Sequence, residues 1–291
     1  MPELPEVETV RTGLQKIIVG KTIASVSFDW AKSFPNDDVM VNTFLIGATV
    51  NAVRRRAKVL LVDVSTDYTV VIHLKMTGQL VYRGEHSFGA GHPNDSLVGE
   101  LPDTSTRVII TFFDSSRLFF NDQRKFGWMR LLPTLEVPNI DFMKKVGPEP
   151  LEQEFTKKVF TQRLQRRKKT TIKAALLDQT VLAGIGNIYA DESLFLAGID
   201  PTSMVGAIPK KKLDILHSAI ITVLQLSIEK GGSTDKNYVN AEGKKGSYIK
   251  FANVFRKENQ PCPNMCGSLM QKRRVAGRGT HVCPVCQKVY Q

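Results

Sequence analysis

Alternating or continuous apolar residues occur near positions 22–30, 48–54, 58–64, 69–74, 78–82, 107–113, 117–121 and 127–132, and each of these short runs predicts a β-strand. The clearest are Val59-Leu60-Leu61-Val62-Asp63-Val64 and Val108-Ile109-Ile110-Thr111-Phe112-Phe113. The turn-rich segment from Gly84 to Thr106 reads as a loop between strands. Runs of this number and length suggest a β-sandwich or barrel. From Pro133 to Pro150 the prolines and mixed polarity indicate a linker, after which the period becomes helical near 154–166, 171–178, 187–197 and 209–230. Gly184-Ile185-Gly186 and Gly198-Ile199-Asp200-Pro201 interrupt these helices, and Gly231-Gly232 ends the last. Residues 233–250 are polar, carry Gly243 and Gly246, and read as a mobile loop before a cysteine-rich tail.

Length and charge narrow the field of functions. A chain of 291 residues has room for two or three domains. With 40 Lys plus Arg against 28 Asp plus Glu, its surface should attract polyanions, nucleic acid foremost. A membrane is the weaker choice, because no apolar run is long enough to span one. The N-terminus is acidic where a signal peptide is basic, so a cytoplasmic, nucleoid-associated location is expected.

The first residues, Met-Pro-Glu-Leu-Pro-Glu-Val-Glu-Thr-Val, fit a helix start, with Pro5 in the first turn and Glu3, Glu6 and Glu8 complementing the dipole. They also fit a reactive centre. Loss of Met1 leaves Pro2 as a free secondary amine beside the Glu3 carboxylate. An α-amino group titrates near about 7.7 to 8.0, so an appreciable fraction is unprotonated and nucleophilic at neutral pH. Condensed with a sugar aldehyde, a secondary amine gives only an iminium ion, whose fixed positive charge favours elimination of the neighbouring phosphate.

All four cysteines fall in the tail, as Cys262-x3-Cys266-x16-Cys283-x2-Cys286. Two close pairs separated by a hairpin-length span make a four-thiolate zinc ribbon, which has no open coordination position and is therefore structural. Two disulfides are the alternative, disfavoured in a cytosolic protein. From Lys244 to Gln291 there are ten Lys or Arg and one acidic residue, Glu258. Lys272, Arg273, Arg274 and Arg278 lie between the cysteine pairs, where they either meet phosphates or form a solvated basic surface. A second basic run, Lys157 to Lys173, holds eight Lys or Arg and no acid, and precedes Gly184-Ile185-Gly186-Asn187. Asn187 is either a phosphate ligand at a helix N-terminus or an ordinary capping residue. In the β region, Lys58 is a rim cation or a solvated strand end. His73 and Met76 are core fillers or DNA contacts, and Arg124 with Phe126 is a surface pair or a wedge for a base stack.

Taken together, these residues resemble the formamidopyrimidine-DNA glycosylase family of bacterial base-excision repair enzymes, nearly end to end. The resemblance rests on Pro2-Glu3-Leu4-Pro5-Glu6-Val7-Glu8-Thr9, on Gly184 to Ser193 following Leu176-Leu177-Asp178-Gln179, and on Gly277-Arg278-Gly279-Thr280-His281. It implies an α+β multidomain fold: an N-terminal helix plus β-sandwich (1–133), a linker (134–150), a helix-two-turn-helix domain with a lesion-capping loop (151–250) and a zinc ribbon (251–291). It also implies an enzyme that flips a damaged purine such as 8-oxoguanine from double-stranded DNA, cuts its glycosidic bond and then cleaves the strand. On that resemblance Pro2 is the Schiff-base nucleophile, Glu3 the acid that assists ring opening, Lys58 a phosphate contact and proton donor in β-elimination, and Arg278 the donor for δ-elimination. His73, Asn187 and Arg278 pinch phosphates, Met76, Arg124 and Phe126 fill the vacated space, and Lys169 and Lys173 match basic positions near the helical motif. Glu6 and Tyr238, the latter in Tyr238-Val239-Asn240-Ala241-Glu242-Gly243, face the lesion. One structural zinc ion on Cys262, Cys266, Cys283 and Cys286, no catalytic metal, and action as a monomer are expected.

Two positions depart from the family pattern. The first cysteine pair has three intervening residues where two are usual, and Arg107, expected to keep a DNA contact, stands where many members carry a histidine that contacts DNA. A sister activity on oxidised pyrimidines and a non-catalytic zinc-ribbon DNA-binding protein are the rival readings.

Overall fold

Val7, Val10, Leu14 and Ile18 recur at helical spacing and form the buried stripe of α1 (Leu4–Ile18). The computed structural model describes residues 1–92, 94–233 and 248–291. Tyr238 and the expected lesion-capping segment lie outside the described residues.

The chain divides into two units, Met1–Lys144 with Lys230–Ser247, and Lys145–Glu229 with Tyr248–Gln291. In the first, α1 is followed by β1 (Ile23–Phe28), α2 (Asp38–Phe44), β2 (Val50–Arg56), β3 (Val59–Val64), β4 (Tyr68–His73), β5 (Gly78–Arg83), β6 (Ser87–Gly91), β7 (Thr106–Phe112), β8 (Arg117–Asp122), β9 (Trp128–Pro133) and α3 (Asp141–Lys145). The strands make two antiparallel sheets, β1-β7-β8-β5-β6 and β2-β3-β4-β9. Leu60, Val62, Val70 and Ile72 of one sheet meet Leu80, Val108, Leu118 and Phe120 of the other in the sandwich core, which also receives the stripe of α1.

The continuous apolar runs have a simple cause, because both faces of their sheets are covered. Val59 and Leu61 point away from the main core into a second cluster with Val71, Val137 and Trp128, closed by Ile140, Phe142 and Met143. The segment expected to be a linker therefore folds back over the sheet as a 3-10 turn, Thr134–Asn139, and α3. Val81 and Phe119 are likewise covered by Leu97 and Leu101. That cover comes from the stretch read as a loop, which contains β6 and a 3-10 turn at Asp95–Leu97. The sequence Ser-Phe-Gly-Ala-Gly of β6 has too little β-propensity to signal a strand, yet it pairs with β5 at the sheet edge. Helix α2 escapes detection because Val41 is its only buried residue.

The second unit comprises α4 (Lys157–Gln165), α5 (Ile172–Leu177), α6 (Asn187–Ala197), α7 (Lys210–Glu229), α8 (Tyr248–Phe251), β10 (Gln271–Val275) and β11 (Arg278–Val282). Helices α4 and α5 are capped by Thr156 and Thr171, whose side chains accept backbone N–H bonds, and Gly198 ends α6 at φ +65°. Helix α7 buries Leu213, Leu216, Ile220, Val223 and Leu224 on one face. Helix α6 is different, since Tyr189 through Phe195 are all buried, including Asp191, Glu192 and Ser193. A helix covered on every side has no amphipathic stripe, and its polar residues must find partners inside the protein. Among the described residues no helix is long and apolar enough to cross a membrane.

Candidate functional site

The start of α1 is built from its own carboxylates. Glu6 accepts the Glu3 N–H at 2.8 Å through one oxygen, and through the other it accepts both the N–H and the hydroxyl of Ser233, each at 2.8 Å. Gly232 makes that approach possible: its φ is +87°, and a Cβ there would meet Glu6 at 3.2 Å. Glu6, expected to face the lesion, accepts these bonds and so braces the helix start against Gly232 and Ser233. Pro2 and Glu3 are buried behind an exposed Met1. Burial holds the Met1 amine, next to Pro2, below its ordinary value, Glu3 and Glu6 oppose that shift, and Lys58 adds to it. The amino terminus, two carboxylates and the Lys58 ammonium therefore share one electrostatic environment.

Lys58 reaches this place because the turn between β2 and β3 is tied to α1. The Arg55 guanidinium donates to Glu8 at 2.9 Å and to the Ala57 carbonyl at 2.9 Å, and Ala57 itself takes φ +53°. Lys58 immediately precedes Val59, whose register partner is His73. His73 is pushed down to about 3 by burial, with Lys75 and Lys58 adding to the shift, so it is neutral at physiological pH. The Lys75 N–H donates to its Nδ1 at 3.0 Å, which assigns the proton to Nε2 as a hydrogen-bond donor.

Arg124 and Phe126 owe their exposure to Asp122. Its buried carboxylate accepts the N–H groups of Arg124 at 3.2 Å, Phe126 at 2.8 Å and Gly127 at 2.6 Å, and the Thr77 hydroxyl. The Arg124 guanidinium lies 4.6 Å from the Phe126 ring centroid, while Thr77 anchors the turn that carries the half-buried Met76. The turn expected at Asp122 is organised by that carboxylate, a role that an Asx turn ahead of Phe126-Gly127 signals in sequence. Arg107, expected as a DNA contact, is buried, and its guanidinium donates to the Asp122 carbonyl at 3.1 Å, to the Thr104 carbonyl and to the Asp29 carboxylate, which makes it a brace between these segments.

In the second unit, β10 and β11 join through Ala276 and Gly277, both at positive φ, as a two-residue hairpin requires. Arg278 follows, exposed, and Asn187 donates to the adjacent Gly279 carbonyl at 2.9 Å, so Asn187 and Arg278 are brought together. Gln179 holds the glycine turn ahead of α6, accepting the Gly184 N–H at 2.9 Å and donating to the Ile185 carbonyl at 2.8 Å. Lys169 is exposed. Lys173, expected as a DNA contact, is fully buried, with its ammonium 2.6 Å from Asp191 and 2.5 Å from the Thr280 hydroxyl. The other Asp191 oxygen accepts the His281 N–H at 2.9 Å. Glu192, for which the sequence suggested no role, accepts the N–H groups of Asn253, Val254 and Phe255 and the Asn253 side-chain amide.

The four cysteine sulfurs lie within 4.8 Å of one another, with Cys262 to Cys286 at 3.7 Å and Cys266 to Cys283 at 3.5 Å. Tetrahedral zinc with bonds of about 2.3 Å places its sulfurs about 3.8 Å apart, whereas a disulfide needs about 2.05 Å, so the set fits one structural zinc ion. The extra residue of the first pair is absorbed by Met265, which turns to φ +52° and stands 92% exposed. Lengthening the knuckle displaces a side chain into solvent and leaves the sulfurs in place.

Residues 1–129 match the formamidopyrimidine-DNA glycosylase N-terminal domain, 146–238 the formamidopyrimidine-DNA glycosylase H2TH domain, and 259–289 the zinc finger found in FPG and IleRS. The formamidopyrimidine-DNA glycosylase of Latilactobacillus sakei is 40% identical over 288 residues, covering 99% of this chain and 98% of the relative. That of Cytobacillus firmus is 38% identical over 289 residues, covering 99% and 100%. Among solved structures, Lactococcus lactis Fpg in complex with DNA containing an abasic site superposes with a TM-score of 0.86 at 35% identity, covering 98% of this chain and 99% of that one. The wild-type Lactococcus lactis enzyme with DNA containing an oxidised pyrimidine gives 0.85 at 34% identity, covering 99% and 100%.

Proposed function

Because the chain belongs to the formamidopyrimidine-DNA glycosylase family, whose members are DNA glycosylases and AP lyases of base-excision repair, we propose that Pro2, freed by removal of Met1, is its covalent nucleophile. The observation that carries this reading is the shared environment of the amino terminus, Glu3, Glu6 and Lys58 at the buried start of α1.

The Pro2 lone pair attacks C1′ of an extruded damaged purine nucleotide, the glycosidic C–N bond breaks and the base leaves with a proton. Glu3 protonates the ring oxygen as the sugar opens, which leaves an iminium ion on Pro2. Its positive charge acidifies the C2′ proton, and loss of that proton expels the 3′ phosphate, with Lys58 held at the same site to contact phosphate and transfer the proton. Arg278 donates in a second elimination that releases the 5′ phosphate. The zinc ion on Cys262, Cys266, Cys283 and Cys286 supplies the cross-link that folds the ribbon presenting Arg278.

Extruding a base costs a few kcal/mol of stacking and pairing. Met76, Arg124 and Phe126 offset that cost by filling the gap, while the His73 Nε2–H, Asn187, Arg278 and Lys169 hold phosphates. Cytoplasmic duplex DNA is the substrate, and the enzyme acts as a monomer. Activity on oxidised purines is separated from activity on oxidised pyrimidines by a lesion panel, in which 8-oxoguanine and formamidopyrimidines should be the better substrates.

Borohydride reduction in the presence of 8-oxoguanine duplex tests the covalent step. The expected product is a DNA adduct on a peptide beginning with Pro2. Absence of an N-terminal adduct, or full activity from protein that retains Met1, would remove the mechanism.

A further inference from the structure

Trp30, one of two tryptophans in the chain, remains 37% exposed just beyond the end of β1. It is held in position. The Asp29 N–H donates to the Arg107 carbonyl at 3.2 Å, the Ser33 N–H to the Trp30 carbonyl at 2.8 Å, and the Met129 N–H to the Ser33 carbonyl at 2.7 Å. Arg107 joins this turn to the other loop, since one guanidinium takes both the Asp29 carboxylate and the Asp122 carbonyl. The residue that replaces a DNA-contacting histidine thus braces two loops against each other.

The charges around this ring favour a polyanion. The Lys125 ammonium lies 4.8 Å from a Trp30 ring centroid and that of Lys32 lies 5.9 Å away. A cation over an indole face keeps its outward N–H donors for another partner. Lys125 belongs to the turn that exposes Arg124 and Phe126, so the patch is continuous with those side chains, and Phe28, also exposed, extends its apolar part. Of the acids on these two loops, Asp29 is paired with Arg107 and Asp122 is buried under backbone N–H groups. An aromatic held beside two cations, next to Arg124 and Phe126, matches a sugar–phosphate backbone, with phosphates on the ammonium groups and a deoxyribose on the exposed part of the indole.

We propose that Trp30, Lys32 and Lys125 form a second contact with the backbone of duplex DNA, beside the gap filled by Arg124 and Phe126. The inference rests on the reading of those two residues as DNA-intruding.

Acrylamide quenching of tryptophan emission tests it, with Trp30 read as the difference between the wild-type protein and Trp30→Phe. Saturating undamaged or 8-oxoguanine duplex should lower the Trp30 quenching constant at least twofold. Lys32→Ala and Lys125→Asn, the latter suited to the φ of +55° at that position, should each reduce the slope of log K against log salt by about 0.9. The affinity defect of each should therefore grow by about 3.5-fold between 200 and 50 mM salt. Equal quenching of Trp30 with and without DNA, or an unchanged salt slope in both lysine variants, would overturn the proposal. If the borohydride adduct on Pro2 still forms under that result, only the second contact falls.

Discussion

Glu192→Gln should weaken the second unit far more than an isosteric change on a helix ordinarily does. The Glu192 side chain is fully buried, one oxygen taking the Asn253 N–H at 2.8 Å and the Asn253 amide at 3.1 Å, the other the Val254 and Phe255 N–H groups at 2.9 Å each. Glutamine keeps the shape but retains one acceptor oxygen, and its amide nitrogen then faces two N–H donors. Two hydrogen bonds to a charged group are lost, at about 1.5–3 kcal/mol each, and two buried donors are left unmet. Partial relaxation leaves about 3–5 kcal/mol, the range seen when one partner of a buried ionic group is removed. Set against a total stability of about 5–15 kcal/mol, this is a large share. The assay is urea unfolding followed by far-UV circular dichroism, with zinc release read in parallel by a chromogenic chelator. Zinc should be released at lower urea in Glu192→Gln, by an amount insensitive to salt, because the lost bonds are screened from solvent. A destabilisation below about 1 kcal/mol would show that water or another donor arrangement satisfies the site, and the reasoning would fail.

At the proposed nucleophile, Pro2→Gly leaves a primary amine whose imine can lose its proton, so strand cleavage in single turnover should slow by roughly tenfold or more; an unchanged rate would rule out the iminium as the driver of elimination. Glu3→Gln removes the proposed acid and should cost about 10²–10⁴ in base excision under the same conditions, with duplex affinity retained. His73 titrates at about 3 in the folded chain, below its ordinary 6.5, so on acidification the unfolded chain takes up the proton first. Its contribution to stability is complete above about pH 6.5 and declines by up to about 1.4 kcal/mol per pH unit down to about pH 3; His73→Gln should flatten that slope in urea midpoints measured across this range, and identical slopes would count against it. Cys283→Ser should lose zinc and duplex binding together, whereas the wild-type protein should nick DNA in the presence of EDTA.

The strands were legible where side-chain period and burial coincide. Residues 59–64 and 108–113 read as strands because both faces of their sheets are packed, and the second pair of faces is covered by residues 134–145 and by Leu97 and Leu101. Those covers were illegible for the complementary reason: each contributes a few apolar side chains from irregular backbone, so no period arises. The chemistry was legible at the N-terminus and in the cysteines, where residue type and spacing alone restrict what can form. At Lys173 and Arg107 the internal partner is not legible, because a cation in a basic neighbourhood looks the same in sequence whether its carboxylate partner is adjacent or distant. Asp191 lies 18 residues from Lys173 and Asp29 lies 78 from Arg107.

These two cations show how a DNA-binding enzyme uses buried charge. Consecutive acids on α6 secure the ribbon in two places: Asp191 takes Lys173 and the His281 N–H, and Glu192 takes the turn at 253–255. A purely hydrophobic contact would hold as tightly, but it would tolerate sliding of one element along another by a fraction of an ångström. Hydrogen bonds to a carboxylate oxygen have a narrow range of length and direction, so they set the register of β11 on α6, and with it the position of Arg278 beside Asn187. The same logic applies to Asp122 and the exposed pair of Arg124 and Phe126. Elimination at a phosphate requires donors placed to within a few tenths of an ångström, and a basic surface supplies affinity without that accuracy. Exposed cations attract the polyanion, and buried acids determine where the functional ones stand.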